Sequence, residues 1–147
     1  MKFKTESGKE CVINGADFMS ASRLKVSVLK AIKDSGVKIS EIDFSKLLSG
    51  VKDDMESAIK SGALDSLLEL VIELDCSKEV NDAIFDCLAR STYNGERIIR
   101  DTFEPEDARG DYYPIVIACL KRNLAPFFKT LISQLKKLTP TPSESQE

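Results

Sequence analysis

The chain has 147 residues, enough for one domain of ordinary size, and its 42% hydrophobic and 31% charged residues are typical of a soluble globular protein. It contains no histidine, which removes the commonest general base and most zinc sites, and it has no glycine-rich phosphate-binding motif. We therefore expect no enzyme activity, no cofactor and no metal site.

Charge is distributed unevenly along the chain, although the formal net charge is only −3. Residues 1–40 carry eight basic and four acidic side chains, and residues 41–108 carry seven basic and seventeen acidic ones. Residues 109–147 carry six basic and three acidic side chains. This basic–acidic–basic arrangement either balances within the fold or presents patches of opposite sign to partners, and the sequence leaves both readings open.

No segment is typical of a signal peptide or a membrane span. The first ten residues are charged, and the longest uncharged stretch near the end, residues 112–120, is too short to cross a bilayer. We expect a cytoplasmic protein that binds neither membrane nor nucleic acid, since its overall charge is acidic. In a reducing compartment, the four cysteines are expected to be small buried residues.

The N-terminal region predicts a β-hairpin followed by a helix. Two apolar-alternating runs flank a polar turn that contains Gly8, which indicates a hairpin over about residues 1–14. Residues 20–35 then take a helical period, with Leu24, Val28 and Ile32 on one face. Residues 37–42 predict either a short third strand or a linker.

The middle of the chain predicts a series of helices. Residues 44–48, 53–60, 63–74 and 78–90 each show helical periodicity between glycine or capping signals. Residues 63–74 are apolar nearly all round, so we expect them to form the central core helix. Residues 91–106 are less regular, and Asn94-Gly95 indicates a turn.

The last helix is predicted from about Asp111 to Leu138, with Pro114 harmless in its first turn and Pro126 kinking or splitting it. Residues 139–147 are polar and contain two prolines, so we expect a disordered tail. The predicted fold is mainly α with a small N-terminal β-hairpin, an α+β class. A single compact helical domain, residues 1–138, would end in a long kinked C-terminal helix.

This last helix is the candidate partner-binding element, because it combines aromatic and apolar side chains with basic ones. Core packing alone would also explain its apolar positions, whereas an exposed part would suit a helix-in-groove contact or a membrane surface. The candidate contact residues are Tyr112, Tyr113, Lys121, Arg122, Phe127, Phe128, Lys129 and Leu131.

Four stretches resemble the tail assembly chaperones of long-tailed, siphophage-type bacteriophages and prophages. They are KFKTESGKECVIN, LDSLLELVIELDCSKEVNDAIFDCLAR, YNGERI and DYYPIVIACLKRNLAPFFKTLISQLKKL, and their order and spacing are those of that family. Together they cover most of the chain. None of them is a catalytic motif.

The resemblance implies a non-enzymatic chaperone that binds and solubilises the tape-measure protein and helps recruit tail-tube subunits. It places the chain in the host bacterial cytoplasm and makes it absent from the mature virion. A longer, frameshifted form of the chain is a further implied partner, and homo-oligomerisation is left open. The alternative is a small cytoplasmic adaptor or regulator that binds one folded partner through the acidic middle region. A chaperone would bind in many copies along its client, whereas an adaptor would bind one to one.

Overall fold

A computed structural model describes residues 1–35, 41–49, 55–62 and 64–138 of the chain. Its N-terminal hairpin pairs β1 (Lys2–Lys4) with β2 (Glu10–Val12) in antiparallel register, Phe3 opposite Cys11. Gly8 has a φ of 86°, which a side chain would disfavour, and its N–H donates to the carbonyl oxygen of Thr5. The predicted hairpin is therefore confirmed.

A second hairpin extends this sheet. Strands β3 (Thr92–Tyr93) and β4 (Glu96–Arg97) are joined by Asn94 and Gly95, whose φ values of 55° and 83° fit a type I′ turn. β3 also pairs with β2, so the antiparallel sheet has the order β1-β2-β3-β4. The third strand thus comes from Thr92–Tyr93, about eighty residues after the first hairpin. Of the alternative third strand at 37–42, residues 36–40 lie outside the described residues and 41–42 are helical.

Helices make up most of the rest of the described chain. The α-helices are α1 (Phe18–Ser35), α2 (Glu41–Ser49), α3 (Met55–Ser61), α4 (Asp65–Asp75), α5 (Lys78–Cys87), α6 (Glu106–Gly110), α7 (Tyr112–Leu124) and α8 (Phe128–Leu138). Short 3₁₀ turns occur at Leu88–Arg90, Arg100–Phe103 and Ala125–Phe127. Asp17 caps α1 by accepting a hydrogen bond from the Ser20 N–H. The Ser20 side chain, followed by this backbone N–H, lowers the pKa of Asp17. The α+β class is confirmed.

The central helix is α7. Every residue from Ile115 to Lys121 is buried, and α7 packs against α1, α2, α4 and α5. The expectation that residues 63–74 form the central helix is wrong, because α4 buries one face and leaves Ile72 exposed on the other. A helix as apolar as α4 can still lie at the edge of a bundle, since its surroundings decide its burial.

Pro126 splits the C-terminal helix in two, as the sequence predicts. α7 ends at Leu124, a 3₁₀ turn spans Ala125–Phe127, and α8 begins at Phe128. Proline has no N–H to donate within a helix, and its ring clashes with the preceding turn. The predicted tail, residues 139–147, lies outside the described residues.

Three of the four cysteines are buried and all four are free thiols. The expectation of burial is wrong for Cys76, which follows α4 and is exposed. Burial, the largest cause, raises the pKa of the Cys11 thiol to about 12, so this thiol stays protonated at neutral pH.

Candidate partner-binding surface

The structure separates the predicted contact residues into two groups at opposite ends of α7. Tyr112 and Tyr113 lie in its first turn, whereas Arg122 lies in its last turn and Phe127 follows it. A rise of 1.5 Å per residue puts Tyr112 and Phe127 about 20 Å apart along the axis. The two groups therefore have to be considered as separate surfaces.

Tyr112 belongs to an aromatic cluster with a polar edge. Its ring stacks on Phe85 at 6.2 Å between centroids and meets Phe103 edge-to-face at 5.0 Å. Its hydroxyl donates to Asp75 Oδ1 at 3.0 Å and accepts from Asn81 Nδ2 at 3.1 Å. Burial, followed by the Asp75 charge, raises the pKa of Tyr112 well above its usual value. These contacts hold the start of α7 in place and leave the Tyr112 ring only partly exposed.

Asp111, directly before α7, ties the two hairpins to this helix. Its carboxylate is 1% exposed and accepts a hydrogen bond from the Tyr93 hydroxyl at 2.6 Å. It also accepts from the Ser7 hydroxyl and from the Ser7 N–H, the latter at 3.3 Å. A buried carboxylate needs such donors to offset its desolvation. Asp111 therefore fixes the sheet against the N-terminus of α7.

The raised pKa of the Tyr93 hydroxyl makes the folded state less stable as the pH becomes alkaline. Burial and then the hydrogen bond to Asp111 raise the pKa of Tyr93 from 10.0 to about 12. Above pH 10 the unfolded chain loses this proton first, so the stabilisation is complete below pH 10 and is lost as the pH rises towards 12. We expect the thermal midpoint, followed by circular dichroism, to fall between pH 9 and pH 11.5, and to fall less in Tyr93→Phe. Equal slopes in the two proteins would contradict this assignment.

Beyond the other end of α7, an exposed aromatic side chain, Phe18, meets a half-buried one, Phe127. Phe18, the first residue of α1, is 70% exposed, and its ring lies 6.4 Å from that of Phe127 at an interplanar angle of 51°. The Lys25 ammonium lies 5.0 Å from the Phe127 ring centroid, within cation–π range. We call Phe18, Lys25 and Phe127 the aromatic corner. A large aromatic surface left in water at this position is available to a partner.

A buried amide holds the aromatic corner together. Asn123 is 4% exposed; its Oδ1 accepts from the Ala16 N–H at 2.8 Å, and its Nδ2 donates to the Cys119 carbonyl oxygen at 2.9 Å. Ala16 lies two residues before Phe18, and Asn123 lies four residues before Phe127. This bond therefore fixes the start of α1 beside the end of α7.

The remaining predicted contact residues differ in exposure. Arg122 and Lys129 are exposed and Phe128 is partly buried against the core. Leu131 is fully buried and Lys121 nearly so, and desolvation lowers the pKa of Lys121. The side chains of Leu131 and Lys121 consequently offer almost no surface to a partner in this conformation.

Phe18 and Lys25 are absent from the sequence-predicted contact residues. The capping residue Asp17 directly precedes Phe18, so Phe18 is the first residue of the helix. It lies before the buried face that contains Leu24 and Val28. This position at the start of the helix is the sequence signal that could have indicated an exposed Phe18. Their nearness to Phe127 depends on the packing of α1 against α7, which local patterns do not reveal.

Two grooves border α1. The α1–α5 groove, about 390 Å³, contains Met19 and Val26 beside carboxylates of α5. The basic groove, about 490 Å³, lies between α1 and α8 and is lined by Leu29, Lys30, Lys33, Gln134 and Lys137. Over the described residues, no group of three or more cysteine or acidic side chains is placed to hold a metal ion. Within those same residues, none of the helices is both long and apolar enough to span a bilayer.

The family model described as phage tail assembly chaperone protein, TAC, matches residues 8–136 of the chain. The chain belongs to the phage tail assembly chaperone family. The match runs from the first hairpin into α8, so it includes both ends of α7 and the aromatic corner. No curated protein and no solved structure gives a significant match. Membership of a chaperone family implies a non-enzymatic role in tail assembly.

Proposed function

We propose that this chaperone binds the tape-measure protein of its phage through the aromatic corner. Binding keeps the long client soluble in the host cytoplasm and helps recruit tail-tube subunits to it, and the chaperone leaves before the virion is complete. A longer, frameshifted form of the chain would share the same surface. The observation that carries the proposal is the exposure of Phe18 beside Phe127 in a member of a tail assembly chaperone family.

The geometry of the aromatic corner suits an apolar helix face. Phe18 and Phe127 lie at the ends of rigid elements, and the Asn123–Ala16 hydrogen bond fixes their spacing. A surface that is already ordered loses little entropy on binding, so more of the contact energy appears as affinity. Amphipathic client helices dock through such preformed apolar surfaces.

The other predicted contact residues have different parts in this proposal. Arg122, Phe128 and Lys129 are neighbours of the aromatic corner along the chain and extend it with two cations. Tyr112 and Tyr113 form a second contact area at the far end of α7. Lys121 and Leu131 are buried, so in this proposal they stabilise the helices that carry the surface and do not contact the client.

A long client would engage many copies of one small chaperone. Each aromatic corner exposes only a few side chains, so a single contact is weak. Repeated sites along one extended client hold many copies nearby and raise the effective concentration of each. A complex with several chaperones per client is therefore the expected form.

We expect Phe18→Ser to weaken client binding about tenfold, because Phe18 is the most exposed member of the aromatic corner. The tape-measure protein encoded with this chain would be co-expressed with each variant, and soluble complexes would be measured by size-exclusion chromatography with light scattering. Several copies of the wild-type chain per client, and fewer copies of Phe18→Ser, are the expected results.

Ile99→Ser is the matched control, because Ile99 is also an exposed large apolar side chain, 54% accessible, outside the aromatic corner. It should bind the client like the wild-type chain. If both substitutions leave the client soluble and fully coated, the aromatic corner is not the contact. An insoluble client with the wild-type chain eluting alone would reject tape-measure binding altogether.

The α1–α5 groove favours a second candidate function, an adaptor that binds one folded partner. Exposed Met19 and Val26 border it, and Glu79, Asp82 and Asp86 of α5 bring negative charge from the acidic middle region. Ion pairs neutralise part of this charge, since Lys30 pairs with Glu79 at 3.0 Å and Arg100 pairs with Asp82. Arg23 also lines the groove. A one-to-one complex that Val26→Ser disrupts, with Phe18→Ser unaffected, would favour the adaptor.

A further inference from the structure

α1 and α8 lie side by side and run in the same direction. Phe18 at the start of α1 contacts Phe127 just before α8, and Leu29 and Lys33 near the end of α1 share the basic groove with Lys137 near the end of α8. Phe18 and Leu29 are eleven residues apart, about 16 Å along a helix. The aromatic corner and the basic groove are therefore the two ends of one strip about three helical turns long.

The strip changes chemistry along its length. Its first end is aromatic, and its second end has Leu29 as an apolar wall with lysines around it. Glu79 pairs with Lys30, but no carboxylate of the described residues lies within ion-pair distance of Lys33 or Lys137. α8 itself contains three lysines and no acidic residue. The second end is consequently a cationic groove with an apolar wall.

We propose that the basic groove receives the acidic end of an amphipathic partner helix whose apolar end packs on the aromatic corner. This inference rests on the proposed function, since it states which client segment the chaperone selects. Carboxylates pair with Lys33 and Lys137, while Leu29 contacts the apolar side of the same helical turn. The charge contact sets the register and direction of the partner helix, and the apolar contact supplies most of the affinity.

Charge complementarity favours an acidic peptide over a nucleic acid as the occupant. The apolar Leu29 wall and the Glu79 and Asp34 carboxylates near Lys30 suit a helix with one acidic side better than a continuous line of phosphates. Residues 139–147 of the chain, which contain Glu144 and Glu147, are a second source of carboxylates. The experiment below separates these occupants.

The probe is a fluorescein-labelled 18-residue designed helix with apolar residues at helical spacing in one half and four Glu residues in the other. Its counterpart has Gln in place of Glu. By fluorescence anisotropy at low salt, we expect the Glu peptide to bind the full chain about tenfold more tightly than the Gln peptide. The preference should shrink as salt screens the ion pairs.

The double variant Lys33→Glu/Lys137→Glu should abolish the preference for the Glu peptide. The matched control, Lys4→Glu/Lys60→Glu, makes the same change in net charge at exposed positions on β1 and α3 and should keep it. No preference in the wild-type chain, or equal effects of the two double variants, would overturn the proposal. So would displacement of the Glu peptide by oligothymidylate or by a peptide of residues 139–147 at lower concentration than by unlabelled Glu peptide.

The two proposals fail in different ways. Should Phe18→Ser leave the tape-measure complex intact while the Glu preference holds, the client assignment fails and the chemistry of the basic groove stands. Should Phe18→Ser disrupt the complex while the Glu and Gln peptides bind equally, only the groove inference fails.

Discussion

Asp111→Ala is expected to lower the free energy of unfolding by about 3 kcal/mol, a large part of the stability of a domain of this size. The substitution removes the acceptor for the Tyr93 hydroxyl, the Ser7 hydroxyl and the Ser7 N–H together. The buried Tyr93 hydroxyl, left without its acceptor, costs about 1–3 kcal/mol, whereas Ser7 is exposed and water replaces part of its lost bonds. The midpoint of urea unfolding measures the change.

Two further substitutions separate the hydrogen bonds of Asp111 from its packing. Asp111→Asn keeps the shape and one acceptor oxygen, so its loss should be less than half that of Asp111→Ala. Tyr93→Phe removes one donor and should lose little more when combined with Asp111→Ala, because the two residues share a bond. Additive losses in this double variant would contradict the direct coupling of the sheet to α7.

The helices were predictable from the sequence because their signals are local. Leu24, Val28 and Ile32 recur at helical spacing, and all three are buried along α1. Pro126 acts through its own missing N–H, so the split of the last helix also follows from one residue. Such features need no knowledge of distant parts of the chain.

The four-stranded sheet is not visible in the same way. Asn94-Gly95 marks a turn in the sequence, but β3 and β4 have two residues each, too few to show alternation. The pairing of Cys11 with Tyr93 joins residues about eighty positions apart. Backbone pairing of β2 with β3 and the contacts of both hairpins with Asp111, just before α7, bring these strands together.

The candidate surface was predictable only in part, for a geometric reason. An apolar, basic helix has one face in the core and one in water, and the sequence does not say which neighbour covers which face. Leu131 and Leu135 face the core, whereas Lys129 faces solvent. Phe18 belongs to α1, whereas Phe127 lies between α7 and α8. The aromatic corner therefore forms only when α1 packs beside α7 and α8.

Asn123→Ala is expected to lower the free energy of unfolding by about 2 kcal/mol and, at permissive temperature, to weaken client binding several-fold. The substitution leaves the Ala16 N–H and the Cys119 carbonyl without the amide that joins them. The start of α1 would then move more freely relative to the end of α7, and the spacing of Phe18 and Phe127 would no longer be fixed. Urea unfolding and the co-expression assay give the two readouts.

Thr5→Ala is the matched control, because Thr5 is 5% exposed and makes a similar number of side-chain hydrogen bonds, to Ser7 and Lys9 in the first hairpin. It should destabilise the fold without altering the aromatic corner, because this hairpin contacts Asp111 at the other end of α7. If the two variants lose client binding equally at equal stability, general loosening explains the effect. A loss specific to Asn123→Ala would mean that preorganisation of the aromatic corner, and not stability alone, determines how well this chaperone holds its client.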